Sequence, residues 1–152
     1  MIMALSDSKK TSEYDLDKGN GSYNNSTDVF KWVILTNSYT TIDANAANVG
    51  IANYAKVSST GNYVQDTTLA NTTWTKSGAI STLNGDSFNF AADGSNPVTG
   101  KTIAIYNDTS PNKDVAVFVD MTSDGGTTPA DTTLGLNYTV NASGIATTTT
   151  NA

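Results

Sequence analysis

Apolar residues in this chain recur with a period of two or in short unbroken runs, and no stretch carries the period of a helix. The run Val29-Phe30-Lys31-Trp32-Val33-Ile34-Leu35-Thr36 is rich in β-branched and aromatic side chains and reads as a strand covered on both faces. Residues 51–57, residues 69–76 around Trp74, and residues 79–83 read as further strands. Asn84-Gly85-Asp86 then supplies a turn, since Asn-Gly tolerates the positive φ of tight hairpins, and Ser87-Phe88-Asn89-Phe90 follows as a short alternating strand. Residues 101–106 and 114–121 flank the turn-rich Asn107-Asp108-Thr109-Ser110-Pro111-Asn112-Lys113 and are expected to form a central antiparallel hairpin. In its second strand Val115, Val117 and Val119 are expected on one face, Ala116 and Phe118 on the other. Leu134, Leu136, Tyr138 and Val140 alternate with Gly135, Asn137 and Thr139, the pattern of one dry and one wet face. Ala142-Ser143-Gly144 turns into a last strand from Ile145 to about Thr149. One helical turn is expected at residues 43–48, stopped by Gly50, and no longer helix. These short strands separated by turns predict an all-β fold, a single-domain antiparallel β-sandwich or barrel-like sandwich.

Residues 1–28 break the pattern. From Ser6 to Asp28 the chain is polar, with Gly19-Asn20-Gly21-Ser22 and Asn24-Asn25-Ser26-Thr27 lacking any apolar period. This segment reads as an extended N-terminal arm, either flexible or ordered on a neighbouring subunit, ahead of a body at residues 29–152. Met1, Met3, Leu5, Tyr14 and Leu16 are its candidate anchors.

Composition narrows the chemistry. The 152 residues include no cysteine, histidine or arginine; 14 acidic residues less eight lysines leave a net charge of −6. Disulfide frameworks and thiolate metal sites are therefore excluded, and a scattered minority of lysines argues against nucleic-acid binding. No run approaches the roughly 18 apolar residues of a membrane helix, and Met1-Ile2-Met3-Ala4-Leu5 is too short an apolar stretch for a signal peptide. Without histidine the usual nucleophilic triads cannot be assembled. Ser6-Asp7-Ser8-Lys9 spells a serine-lysine site, but in a polar arm no apolar pocket would lower the lysine pKa. Asp15-Leu16-Asp17-Lys18-Gly19-Asn20-Gly21 opens like a calcium loop yet has Gly19 at an oxygen-ligand position and Asn20 where glycine is required. Asp120, Asp124 and Asp131 around Gly125-Gly126 read as a solvated turn rather than a chelating set. The expectation is a non-enzymatic chain with no cofactor and no metal. Trp32 reads as core, whereas Trp74, Tyr39, Tyr54 and Tyr63 are candidate interface aromatics, the three tyrosines being also candidate platforms for host glycans.

Four segments, in order, resemble a family of small tailed-bacteriophage virion structural proteins of the capsid-decoration type. They are Asp28-Val29-Phe30-Lys31-Trp32-Val33-Ile34-Leu35-Thr36-Asn37-Ser38-Tyr39-Thr40, then Val57-Ser58-Ser59-Thr60-Gly61-Asn62-Tyr63, then Ile105-Tyr106-Asn107-Asp108-Thr109-Ser110 with Asp114-Val115-Ala116-Val117-Phe118-Val119-Asp120, and Asn141-Ala142-Ser143-Gly144-Ile145. The resemblance implies a β-structured virion component without catalytic residues, located on the outer capsid surface after assembly in the host cytoplasm. Its implied partner is the major capsid protein, whose lattice it would stabilise; self-association as a homo-oligomer, with a trimer on a three-fold axis favoured, would add avidity. A head-fibre or tail-associated role, as connector or glycan-binding adhesin, is the alternative.

Overall fold

The computed structural model describes residues 8–19, 27–78, 80–122, 124–126, 130–131, 135–140 and 144–149. In chain order the elements are strand β1 (Ser8–Lys10), helix α1 (Ser12–Gly19), β2 (Phe30–Leu35), single-turn 3-10 helices at Tyr39–Thr41 and Ile51–Asn53, β3 (Thr67–Thr68), β4 (Thr73–Ser77), β5 (Ile80–Asn84), β6 (Phe88–Phe90), β7 (Thr99–Gly100), β8 (Thr102–Asn107), β9 (Val115–Asp120), β10 (Ala130–Asp131), β11 (Leu136–Tyr138) and β12 (Ala146–Thr149). The fold is all-β, with several antiparallel sheets packed together as a sandwich.

The main sheet has the order β1-β9-β8-β2-β3. The expected hairpin forms its centre, with β8 pairing β9 on one side and β2, Phe30 opposite Asn107 through Leu35 opposite Thr102, on the other. Alternation along β2 sends Phe30, Trp32 and Ile34 into one core and Val33 and Leu35 into a second on the opposite face. The first core is covered by Leu83 of β5, Phe88 of β6 and Leu136 of β11, elements of two smaller sheets, β12-β5-β4 and β11-β6. The second is covered by the connection after β2, through Tyr39, Ile42 and Ile51. A third pair, β10-β7, sits where Gly100 passes Ile34; a Cβ there would lie 2.2 Å from Ile34 Cγ2, so only glycine fits without displacing a buried side chain.

Several expectations are corrected. The register of β8 against β9 shifts after Ile105, which pairs Val117, while Tyr106 pairs Val115. This bulge adds Ala116 to one strand and reverses the alternation: Val117 and Val119 face the first core with Ala116, whereas Val115 joins Phe118 on the second. Residues 51–57 hold a 3-10 turn and a single bridge from Lys56 to Leu35 instead of a strand, and residues 43–48 form a turn rather than a helical one, with Asp43 Oδ1 accepting the Asn45 N–H. Asn84-Gly85-Asp86 does not close a hairpin, because β5 pairs β4 and β12 while β6 pairs β11. The tight turn lies at Gly78, φ +60°, between the paired Ser77 and Ile80.

The largest correction is at the start of the chain. Residues 8–19 form a strand and a helix longer than the single turn expected, and both pack on the chain's own body. Ser12 opens α1 with Glu13 and Asp15 in its first turn, where the helix dipole favours acids, and Thr11 Oγ1 accepts the Tyr14 N–H. Tyr14 and Asp17, three apart, share the buried side, and Leu16 is left 57% exposed.

Candidate functional site

The feature with the strongest claim to function is the edge of the main sheet that the N-terminal segment closes. Antiparallel pairing sets Ser8 opposite Val119, Lys9 opposite Phe118 and Lys10 opposite Val117. The ladder ends with the Thr11 N–H donating to Ala116 O at 3.0 Å, and Thr11 Oγ1 donates to Val115 O at 2.6 Å. The Lys9 ammonium donates to Tyr39 O at 2.7 Å and lies 4.2 Å from the Tyr39 ring centre, so its charge is satisfied at the rim of the second core. Ser12 N–H donates to Ala44 O, tying α1 to the same connection. Tyr14 is wholly buried, its ring tilted against Trp74 at 6.1 Å. Lys10 pairs with Asp15 at 2.6 Å.

The same contact gathers acids. Asp17 on α1 and Asp114 just before β9 are both buried, and Glu13 lies close enough to feel them. Burial first, then the Asp17 and Asp114 charges, hold the Glu13 carboxyl above a glutamate's ordinary value.

Other charged groups serve the turn between β8 and β9. The Asp108 carboxylate takes Lys113 and Lys31, each at 2.7 Å, and hydrogen bonds from those ammonium groups, Lys113 first, hold its pKa below the ordinary value. Buried Asn107 donates to Asp28 Oδ2 at 2.7 Å and accepts the Thr109 and Ser110 N–H groups. Lys56 pairs with Asp66 at 2.8 Å beside Tyr106, whose phenol is pushed up by burial and then by Asp66.

Each predicted site residue has a definite place or lies outside the described residues, as Met1, Met3 and Leu5 do. Tyr14 is core rather than a free anchor, a correction; Leu16 alone of the described anchors faces outward. Tyr39 and Tyr63 are also corrected, because both are buried and neither ring can serve as an exposed platform. Tyr63 Oη accepts the Ile34 N–H at 3.0 Å, and burial pushes its pKa up to about 12. Tyr54 is half-buried, edge-on to Phe118 at 5.0 Å. Trp74 is also half-buried, packed against the first core. Trp32 is core, stacked on Phe88 at 4.3 Å.

Of the residues weighed for chemistry, Lys9 donates to backbone carbonyls, and Ser6 and Asp7 lie outside the described residues. Asp15 and Asp17 stand on a helix instead of a loop. Asp120 Oδ1 accepts both the N–H and hydroxyl of Thr122, each at 2.8 Å. Among the described residues no three His, Cys, Asp or Glu side chains are placed to hold a metal ion. Reading for apolar periods missed Lys9 and Thr11; the signal available was Thr11-Ser12-Glu13, a capping hydroxyl followed by an acid in the first turn. Compared with protein-family models, curated proteins and solved structures, the chain matches none.

Proposed function

We propose that the chain is a decoration protein of a tailed-phage head, seated on the outer capsid surface and stabilising the lattice of the major capsid protein. The observation that carries this reading is the edge position of β1. Its first residue, Ser8, is exposed, and Met1, Met3 and Leu5, which precede it in sequence and lie outside the described residues, are the side chains assigned to docking on the shell by strand addition or groove filling. The sandwich supplies a rigid base, in which Lys31, Lys56 and Lys113 pair with acids of the same chain. Binding only the assembled lattice stabilises that lattice by mass action, and a trimer would add avidity.

The test separates docking from folding. Deleting residues 1–27 would also remove Tyr14 from the core, so the informative deletion is residues 1–7. The shortened chain is expected to keep its β signal by circular dichroism and lose at least tenfold in copies bound per particle by quantitative mass spectrometry. Unchanged occupancy, or absence of the full chain from mature particles, rejects the proposal.

A further inference from the structure

We infer that Lys56 and Asp66 condense to a side-chain amide, a covalent brace across the connection that closes the β3 edge of the main sheet. A chain without cysteine cannot brace itself with a disulfide, and an amide between a lysine amine and a carboxyl is a crosslink its side chains allow. Among the ion pairs of the described residues this one differs in the state of its acid. Asp108 is shared by two ammonium groups, and Asp15, paired with Lys10, is 40% exposed. In Asp66, Oδ2 takes the Lys56 ammonium at 2.8 Å and the Gln65 side-chain amide at 3.3 Å, while Oδ1 is buried with no hydrogen-bond partner. A carboxylate with an orphaned buried oxygen is costly, and condensation expels one oxygen as water and removes both charges.

Both side chains are held by backbone fixed to the same strand. Lys56 bridges Leu35 of β2, and the next residue, Val57, donates its N–H to Ile34 O at 2.8 Å. Asp66 directly precedes β3, whose Thr67 and Thr68 pair with Trp32 and Lys31 of β2. Its backbone stands in the left-handed region, φ +59°, between the Gln65 N–H, which donates to Ser59 Oγ, and the ladder that follows. The 2.8 Å contact brings Lys56 Nζ near the roughly 3–3.5 Å from the carboxyl carbon at which reacting atoms are held. The Tyr106 phenol lies beside the carboxylate and keeps its proton, since burial and then Asp66 raise its pKa. In the step, Nζ bonds to Asp66 Cγ and gives up two protons, and the Cγ–Oδ1 bond breaks. Oδ1 leaves as water with two protons, one of them relayed by the Tyr106 hydroxyl, so no oxidant or co-reactant is consumed. The product ties residue 56 to residue 66 around Tyr63, whose hydroxyl accepts the Ile34 N–H. The bond needs no capsid and is independent of the proposed function.

Mass spectrometry of the full-length protein tests this directly. The intact chain is expected to be lighter than its sequence by one water, and a digest should contain a branched peptide joining Lys56 to Asp66. Lys56→Arg keeps the ion pair and cannot condense, so it should run at its full sequence mass and give no branched peptide. Tyr106→Phe keeps the ring and loses the relay, and should lower the branched fraction at least tenfold in protein sampled soon after synthesis. An unaltered chain that holds its full sequence mass and yields only unbranched peptides after prolonged incubation overturns the inference. So does a loss of water that persists in Lys56→Arg, which would place the loss elsewhere, as a succinimide at Asp93-Gly94 or Asp124-Gly125. A branched fraction unchanged in Tyr106→Phe overturns the part given to the phenol.

Discussion

The centre of the main sheet and the unit that closes its edge are built from different forces. Every residue of β8 and β9 is buried, and nine of the twelve are apolar, Thr102, Asn107 and Asp120 being the exceptions. In β1 no residue is buried, and the edge is held by a ladder, the Thr11 hydroxyl, the Lys9 ammonium and one inserted ring, that of Tyr14. Fully burying a large apolar side chain contributes about 1.5–3 kcal/mol, a hydrogen bond about 0.5–1.5 net, and an exposed ion pair such as Lys10–Asp15 about 0–1. The centre therefore decides whether the chain folds. The edge unit adds an increment small enough to be surrendered and regained while the body stays intact.

The sharpest way to break this comparison is to remove one fully buried ring from each region. Phe118→Ala should cost about 3–5 kcal/mol of global stability, since it leaves a cavity beside Val33, Tyr54 and Ile51. Tyr14→Ala removes a ring equally buried but should act locally, by about 2–4 kcal/mol, freeing the amides of Lys9 to Thr11 while those of Ile103 to Ile105 keep their protection. Urea melts followed by tryptophan fluorescence, together with hydrogen exchange, read the two effects. Equal loss of protection at Ile103 to Ile105 in both variants would erase the distinction.

The same division explains what the sequence disclosed. The centre was legible because its strands are unbroken apolar runs around a turn-rich connector, a signal no helix or loop shares at that length. The reversal at Ala116 was not, since a bulge depends on which residue stands opposite and leaves no mark on one strand alone. The edge unit was hidden because, among the described side chains of α1, Tyr14 is the only apolar one that is buried, too few for a period, and its strand is three polar or charged residues that pair through backbone. Tyr39 and Tyr63 were misplaced for a related reason: polar neighbours such as Ser38, Thr40 and Asn62 mask their burial, which comes from distant strands. Of the site itself, only Leu16 as an outward apolar residue was both named and found exposed; Met1, Met3 and Leu5 fall outside the described residues.

The two edges of the main sheet can also be set against each other. Opposite β1, the short β3 covers only Lys31 and Trp32; beyond it Tyr63 Oη accepts the Ile34 N–H and Val57 N–H donates to Ile34 O. Here a side chain replaces a strand. Tyr63→Phe leaves a buried donor unsatisfied at a cost of about 1–3 kcal/mol, measured by urea denaturation. Because Tyr63 belongs to the opposite edge, protection of the Lys9 to Thr11 amides should stay unchanged; a variant that loosened them as strongly as it lowered stability would show the two edges to be coupled.

Proton binding separates the regions by sign, with the smallest effect. The Glu13 carboxyl is held above its ordinary 4.5 in the folded chain, so its ionisation opposes the edge contact; that penalty is complete above the folded value and gone below 4.5. Lowering the pH from neutral towards about 4.5 should therefore tighten the edge, seen as slower exchange of the Lys9 to Thr11 amides after correction for the intrinsic rate. Asp108 is held below its ordinary 3.8 by Lys113 and Lys31, so its contribution is present above 3.8 and lost as pH falls through the lower folded value. The turn between β8 and β9 should loosen in that range, where the edge has already gained. Glu13→Gln should remove the first change alone and Asp108→Asn the second alone, followed by the amides of Lys9 to Thr11 and of Thr109 to Lys113. A single acid transition common to both sets of amides would mean that edge and centre open as one unit, contrary to the division drawn from their contacts.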